Sequence, residues 1–280
     1  MKVVKTVEEL RQLLSEEKSK GKTVGFVPTM GALHRGHLSL VQRCKKECGA
    51  AVVSIFVNPT QFNDKGDLAR YPRTLAADVQ LLQTAGCDVA FAPSEAEVYP
   101  EPDTRVFDFG PLDRVMEGAH RPGHFNGVAQ VVSRLLDVVQ PNYAYFGEKD
   151  FQQLAVVSEM VRRLGLPVEI VRCPIVREAD GLALSSRNAL LTPEQRAAAP
   201  LIAKTLFAAV DMVCSVDLAA LKKLVADAIN ASEQLKLEYF EVVCARTLQP
   251  VASLDDDCAK QACIAVHAGK VRLIDNVRLT

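Results

Sequence analysis

Four groups of residues in this 280-residue chain have the types and spacing to handle phosphates and polar organic molecules. The first is His34-Arg35-Gly36-His37, which follows Met30, Gly31, Ala32 and Leu33. A helix N-terminus carries unpaired N–H groups and partial positive charge, so it suits a phosphate. Imidazoles three residues apart also share one side of a helical turn. The expectation is that this turn holds the phosphates of a nucleotide. The second group is Gly147-Glu148-Lys149-Asp150, where the lysine offers a point charge to phosphate and the aspartate accepts from ribose hydroxyls. The third, Ser185-Ser186-Arg187-Asn188, sets two hydroxyls and a guanidinium together, which suits β- and γ-phosphates. Gln61 and Gln153 complete the set as uncharged bidentate groups able to bind a polar organic substrate.

Each group also has a plainer reading. The histidines can be two surface residues at a helix start, and Glu148 and Asp150 can simply favour a helix N-terminus. Ser185–Asn188 can be a polar turn and each glutamine a solvated side chain, while His120 and His124 beside Arg121 fit a lid or an ordinary loop. Gly31 and Gly36 have P-loop spacing, but His37 and Leu38 stand where Lys and Ser/Thr are required, which excludes a P-loop NTPase. G-x-G-x-x-G is absent, which disfavours the usual dinucleotide fold. His34 and His37 could be half a zinc site with Cys44 or Cys48, although the spacing matches no zinc-finger or H-E-x-x-H pattern. The apolar run before the turn and the glycines within it favour phosphate.

The elements that must position these groups are legible as patterns. Thr6–Lys20 is an amphipathic helix, with Thr6 and Glu9 at capping-box spacing and a stripe of Val7, Leu10, Leu13 and Leu14. Strand Val24–Val27 breaks at Pro28, and a helix pattern runs from Leu38 to about Cys48. Ala50–Val57 reads as a strand buried on both faces. A polar loop Asn63–Pro72, a helix Thr74–Ala85 and a strand Val89–Ala92 follow. This βαβαβ order predicts a parallel sheet with helices on both faces, and such sheets bind ligands at the carboxyl ends of their strands. The histidine turn and Asn58–Phe62 both leave strands at that edge.

Pro93–Gly123 reads as irregular, followed by a helix Phe125–Val139, a strand Tyr143–Phe146, a helix Lys149–Leu164 and a strand Val168–Val171. Arg177–Asn188 is a polar, turn-rich segment. The pattern then changes to two helices, Pro193–Cys214 and Leu218–Gln234, and three strands, Leu237–Ala245, Ala262–Ala268 and Val271–Ile274, with hairpin spacing that predicts antiparallel pairing. The expected organisation is an α/β domain over residues 1–175 and a smaller α+β domain over 176–280.

Composition sets the outer bounds. The chain is 49% apolar and 24% charged with a net charge of −1, a balance that suggests neither a nucleic-acid nor a membrane surface. The first residues lack the apolar core of a signal peptide, and no apolar run approaches a membrane span. The 8 cysteines form no C-x-x-C pair and mostly sit in apolar patterns, so they read as small buried hydrophobes of a reduced, cytoplasmic protein.

Taken together, PTMGALHRGHLSL (28–40), NPTQF (58–62), YPRT (71–74), EGAHRPGHFNGV (117–128), FGEKDFQQ (146–153), READGLALSSRN (177–188) and RLIDN (272–276) closely resemble the pantothenate synthetase, or pantoate–β-alanine ligase, family. The H-x-G-H element alone is shared with the wider nucleotidylyltransferase and class I aminoacyl-tRNA synthetase superfamily. The resemblance runs from the first helix to the last strand. It implies a Rossmann-like N-terminal domain with a small C-terminal lid, in a cytoplasmic homodimer that uses ATP and Mg2+. The reaction implied is condensation of pantoate with β-alanine through a pantoyl adenylate, giving pantothenate, AMP and pyrophosphate.

By the same resemblance Met30, Gly31, Ala32, Leu33, His34, Arg35, Gly36 and His37 line the ATP site, with His37 the proton donor to the phosphates. Gly147, Glu148, Lys149 and Asp150 hold ribose and phosphate, Val176 contacts adenine, and Leu184, Ser185, Ser186 and Arg187 close the phosphate site. Gln61 and Gln153 contact pantoate. The magnesium ligands are unassigned, with Asp78 an indirect candidate. Gly66, Leu68 and Cys244 depart from the common pattern, where a Glu, an aromatic residue and an Asp are frequent. A nucleotidylyltransferase and a non-catalytic nucleotide sensor are the competing functions.

Overall fold

A computed structural model of the chain describes residues 1–62 and 65–280, in two compact units. The first comprises Met1–Phe109, Arg121–Glu148 and Gln153–Pro174, and the second Gly110–His120, Lys149–Gln152 and Ile175–Thr280.

The first unit begins β1 (Lys2–Val4), α1 (Val7–Ser19), β2 (Val24–Thr29), α2 (Arg35–Glu47) and β3 (Ala50–Ile55). It continues α3 (Lys65–Arg70), α4 (Leu75–Thr84), β4 (Val89–Phe91) and α5 (Glu95–Val98). Beyond α6 (Met116–His120), which belongs to the second unit, come α7 (His124–Val139), β5 (Tyr143–Gly147), α8 (Phe151–Leu164) and β6 (Glu169–Cys173). The six strands pair in parallel in the order β1-β4-β3-β2-β5-β6. The chain winds one way from β2 through β3 to β4 and the other way through β5 to β6, so β2 and β5 flank the switch point where open α/β sheets bind ligands. Val52 and Val53 of β3 are fully buried on opposite faces, as the continuous apolar run demands.

Local chemistry explains most element ends. Thr6 and Glu9 form the expected capping box on α1. Pro28 lies inside β2 rather than ending it. Thr23 and Thr29 accept N–H bonds from Ala50 and Phe56 on the β3 side. Pro28 is out of phase with both, so its missing N–H faces β5, where pairing ends at Phe26–Ala144. Two segments read as loop or irregular carry short helices, and one strand was not read at all. The polar loop 63–72 contains α3, with Asn63 and Asp64 outside the described residues. The segment 93–123 contains α5, a 3-10 turn Gly110–Asp113 and α6. The edge strand β1, three residues with a partner on one side only, is too short to show a pattern. Five of the cysteines are buried, and burial pushes the Cys87 thiol up to about 12.

The second unit holds α9 (Pro193–Ala198), α10 (Leu201–Met212) and α11 (Leu218–Asn230) with the antiparallel sheet β7 (Leu235–Cys244), β8 (Lys260–Ala268) and β9 (Val271–Arg278). The single helix expected over 193–214 is two, because a proline at position 200 cannot donate back to Arg196 and its ring crowds that carbonyl. Ile202, Leu206, Leu221, Val225 and Ile229 of the helices pack on Ala262, Ile264, Val266 and Leu273 of the sheet to form its core. The opposite face of this sheet carries a polar cluster. There Arg272 makes a bidentate pair with Glu117 at 2.7 and 2.8 Å, and Tyr239 donates to the same carboxylate at 2.7 Å. Beside them Gln152 accepts from the Glu117 N–H and donates to the Leu112 and Val115 carbonyls.

Candidate active site

The histidine turn leaves the carboxyl end of β2. Thr29 donates its hydroxyl to the Ser54 carbonyl at 2.6 Å and accepts from Gly31 N–H at 3.2 Å. Gly31 and Ala32 both adopt positive φ, 79° and 48°, which reverses the chain sharply. That geometry is held from another element. Asp78 of α4 is 1% exposed, and its carboxylate accepts N–H bonds from Ala32 at 3.1 Å and Leu33 at 2.8 Å. Thr74 donates to the same carboxylate at 3.3 Å.

The reversal delivers His34 as the N-cap of α2, whose first helical residue is Arg35, three positions earlier than the sequence pattern indicates. Imidazole does here what a serine or aspartate usually does. His34 Nδ1 accepts from Gly36 N–H at 3.1 Å, and His37 Nδ1 accepts from His34 N–H at 3.4 Å. The ring centroids lie 4.1 Å apart. An Nδ1 that accepts must be unprotonated, so each neutral ring carries its proton on Nε2. The cap thus fixes both tautomers as Nε2–H donors beside the positive end of a helix, a donor set for an anion.

Gln61 sits next to this turn, donating to Met30 Sδ at 3.2 Å. It ends a 3-10 turn, Pro59–Gln61, after β3, and is itself buried. Asn58, 1% exposed, organises the turn. Its amide donates to Gln61 Oε1 and to the Gly127 carbonyl, both at 3.2 Å, and its oxygen accepts from the Tyr99 hydroxyl at 2.9 Å. Burial pushes the Tyr99 phenol up, which keeps it a neutral donor. At the start of α7, Gly127 lets the helix backbone lie directly on this turn, since a Cβ there would stand 2.5 Å from the Thr60 carbonyl oxygen. His124 Nδ1 is 2.9 Å from the Gln61 carbonyl, and its Nε2 is 3.2 Å from Arg121 Nη1. The first unit therefore brings Met30 to His37 and Gln61 together. Gly147 and Glu148 leave β5 across the switch point, and Gln153 is half-buried in the first turn of α8.

The second unit carries the remaining expected residues. Lys149 Nζ lies 3.6 Å from Asp150 Oδ1. The Val176 carbonyl accepts from Leu184 N–H at 3.0 Å, and Arg177 and Ala183 form an antiparallel bridge, so 176–184 is a small hairpin. Arg177 clamps this hairpin to Asp275 through two bonds of 2.6 and 2.9 Å. Ser185 caps a 3-10 turn, Ser186–Leu190, by accepting from Arg187 N–H at 3.3 Å, and Asn188 donates to the Ala183 carbonyl.

Reading the sequence did not single out Asn58, and left His124 and Arg121 open. Asp78 entered only as an indirect magnesium candidate. Asp78, Asn58 and His124 are each defined by burial and by a contact across 45 or more residues, and Arg121 by its place beside His124. The only local hint was Asn58 immediately ahead of a 3-10 turn, accepting from Thr60 N–H two residues on, an Asx-type position.

Residues 2–278 match the family model described as pantoate-beta-alanine ligase. The chain belongs to that family. It is 57% identical over 278 residues to a pantothenate synthetase of Bacteroides thetaiotaomicron, covering 99% of both chains. Its structure superposes on crystalline pantothenate synthetase from Thermus thermophilus with a TM-score of 0.93 at 48% identity, covering 100% of this chain and 99% of that one. A pantoate–β-alanine ligase from Francisella tularensis, solved with β-γ ATP and β-alanine, gives 0.82 at 36% identity over 100% and 98% of the two chains. The family fold and this one coincide: a parallel sheet flanked by helices, and a small antiparallel sheet with its own helices.

Proposed function

We infer that this chain condenses pantoate with β-alanine at the expense of ATP, giving pantothenate, AMP and diphosphate through a pantoyl adenylate. The observation that carries the site assignment is the pair of capping histidines at the switch point, with both Nε2–H groups set as donors and Gln61 beside them.

In the first step a pantoate carboxylate oxygen attacks the α-phosphorus of ATP, and the bond to the bridging oxygen of diphosphate breaks. No protein nucleophile is required. The protein positions the reactants and stabilises charge on the phosphates. His34 and His37 donate from Nε2, with His37 nearest the role of proton donor, and Lys149 and Arg187 add positive charge. Met30, Gly31, Ala32, Leu33, Arg35 and Gly36 form the wall around them. Gly147, Glu148 and Asp150 take the ribose and phosphate, Val176 the adenine, and Leu184, Ser185 and Ser186 the phosphate edge. Gln61 and Gln153 hold pantoate by its polar groups. In the second step the β-alanine amine attacks the acyl carbon and AMP leaves. Arg121, held beside His124 and thus beside Gln61, supplies a guanidinium suited to the β-alanine carboxylate. Water must be kept from the adenylate meanwhile, and this reading gives that task to the C-terminal unit.

Magnesium, as the resemblance implies it, would act on the ATP phosphates. Among the described residues no group of three His, Cys, Asp or Glu side chains is set to hold a metal. Asp78, engaged by the turn, would reach it only through a water. The ion would neutralise charge on the departing diphosphate. The same reading takes the enzyme to be a cytoplasmic homodimer with no nucleic-acid or membrane partner. Among the described residues no helix is long and apolar enough to cross a membrane.

A coupled assay for AMP, omitting pantoate and β-alanine in turn, tests the reaction. AMP is expected only with both acids present. Diphosphate release without the amine-dependent AMP would point to a nucleotidylyltransferase, and no release of either to a sensor. His37→Ala should lower pantoate-dependent ATP–pyrophosphate exchange by at least about 10²-fold, the scale of one lost transition-state donor. Near-normal exchange would reject its assigned role.

A further inference from the structure

The stretch 272–276 is as much a part of the family resemblance as the histidine turn, yet nothing in the reaction outlined above uses it. Asp275 and Asn276 are adjacent in β9 and only 4% and 3% exposed. Successive strand residues point to opposite faces, so both faces of the small sheet are covered at this point. Asp275 holds Arg177 and with it the hairpin that leads into Ser185–Arg187. Asn276 faces the other way. Gln261 of β8 donates to Asn276 Oδ1 at 2.7 Å, which turns the amide so that Nδ2 donates to the main-chain carbonyl of Lys149 at 2.9 Å.

We infer that Asn276, oriented by Gln261, is a positioning residue for Lys149 in adenylate formation. The inference rests on the role proposed above for the Lys149 ammonium. Lys149 lies in a three-residue 3-10 turn, Glu148–Asp150, which lacks the repeating bonds of a long helix to fix its backbone. The direction in which a flexible four-carbon side chain leaves the main chain is set by that backbone. A buried amide donor on the carbonyl of the same residue fixes it, in the way catalytic groups are held by supporting contacts. The amide of asparagine suits this place because it accepts from Gln261 and donates to Lys149 at once. A carboxylate of the same shape could only accept.

The test is a double-mutant cycle on pantoate-dependent ATP–pyrophosphate exchange in the full-length enzyme. It uses Asn276→Asp, Asn276→Ala and Lys149→Ala, each alone and with the Lys149 change combined. Asn276→Asp keeps the shape, so it serves if the alanine variant folds poorly. Each Asn276 variant is expected to lower kcat for exchange about 10-fold, the scale of one lost buried hydrogen bond. In the Lys149→Ala background the same changes are expected to have almost no further effect, because the group they position is gone. A role confined to holding the fold would lower exchange by the same factor in both backgrounds, and that result overturns the inference. Normal exchange in Asn276→Asp with a defective Lys149→Ala also overturns it, while leaving the role of Lys149 standing. Normal exchange in Lys149→Ala itself would remove the reading on which it rests.

Discussion

Asp78→Asn is expected to loosen the histidine turn and slow adenylate formation together. The carboxylate is 1% exposed and accepts the Leu33 and Ala32 N–H groups at 2.8 and 3.1 Å. Asparagine keeps one acceptor oxygen and turns an NH2 toward the other N–H. One charge-assisted bond is then lost and the second becomes a neutral one. Hydrogen bonds to charged groups contribute about 1.5–3 kcal/mol, so the substitution should cost about 2–3 kcal/mol of stability. For a chain of this size each kcal/mol moves the melting midpoint about 2–4 °C, which places the expected fall at roughly 4–12 °C. The same turn carries His34 and His37. A displacement on the order of 1 Å can cost about 10²-fold in rate, so exchange should fall at least about 10-fold. Differential scanning calorimetry and pyrophosphate exchange on the same preparation read the two effects. An unchanged midpoint would refute the clamp. A lowered midpoint with normal exchange would refute the link from clamp to catalysis.

Two further outcomes follow from local geometry. Gly127→Ala would place a Cβ 2.5 Å from the Thr60 carbonyl oxygen and 2.8 Å from Gln61 Cα, backbone atoms with nowhere to go. It should cost about 1–3 kcal/mol and raise the KM for pantoate more than it lowers kcat; an unchanged KM in steady-state kinetics would count against Gln61 as a pantoate contact. Cys244 is held down to about 7 by the Thr247 N–H, the Thr247 hydroxyl and the Arg246 N–H, in that order. Its thiolate therefore forms as pH rises through about 7, so alkylation by iodoacetamide should climb there and level off by about pH 8.5, where an ordinary thiol is still gaining. Cys244→Ser should remove that component, and a rate still climbing beyond that pH would contradict the assignment.

Short-range regularities were legible in the residues. The apolar run of β3, the capping box Thr6/Glu9, and the alternation of helix and strand were read within single segments, and the order of elements predicted a parallel sheet and a smaller antiparallel one, as found. The residue types at Gly31–His37, Gln61 and Gly147–Asp150 indicated phosphate and a polar substrate, and the set as a whole indicated the family. These are signals carried within a few residues, by side-chain period, cap chemistry and special backbone angles.

What the residues could not disclose depends on distance along the chain. The helix was expected from Leu38, with both histidines at the junction before it, yet it begins at Arg35 and takes in His37. His34 stands at the cap, where imidazole nitrogen replaces the hydroxyl or carboxylate that usually marks such a position. Asp78 reads as an ordinary first-turn acid in α4 until folding sets it against N–H groups 45 and 46 residues away. Asn58 becomes a hub only when α7 lies on it, and Asn276 reaches Lys149 across 127 residues. The sequence by itself determined which chemical groups the protein owns and which segments become strands and helices, since those follow from local sterics and periodicity. Tertiary structure alone decided which of the buried polar groups meet. A buried donor or acceptor must find its partner wherever the packed chain brings one, and no spacing in the sequence records that place.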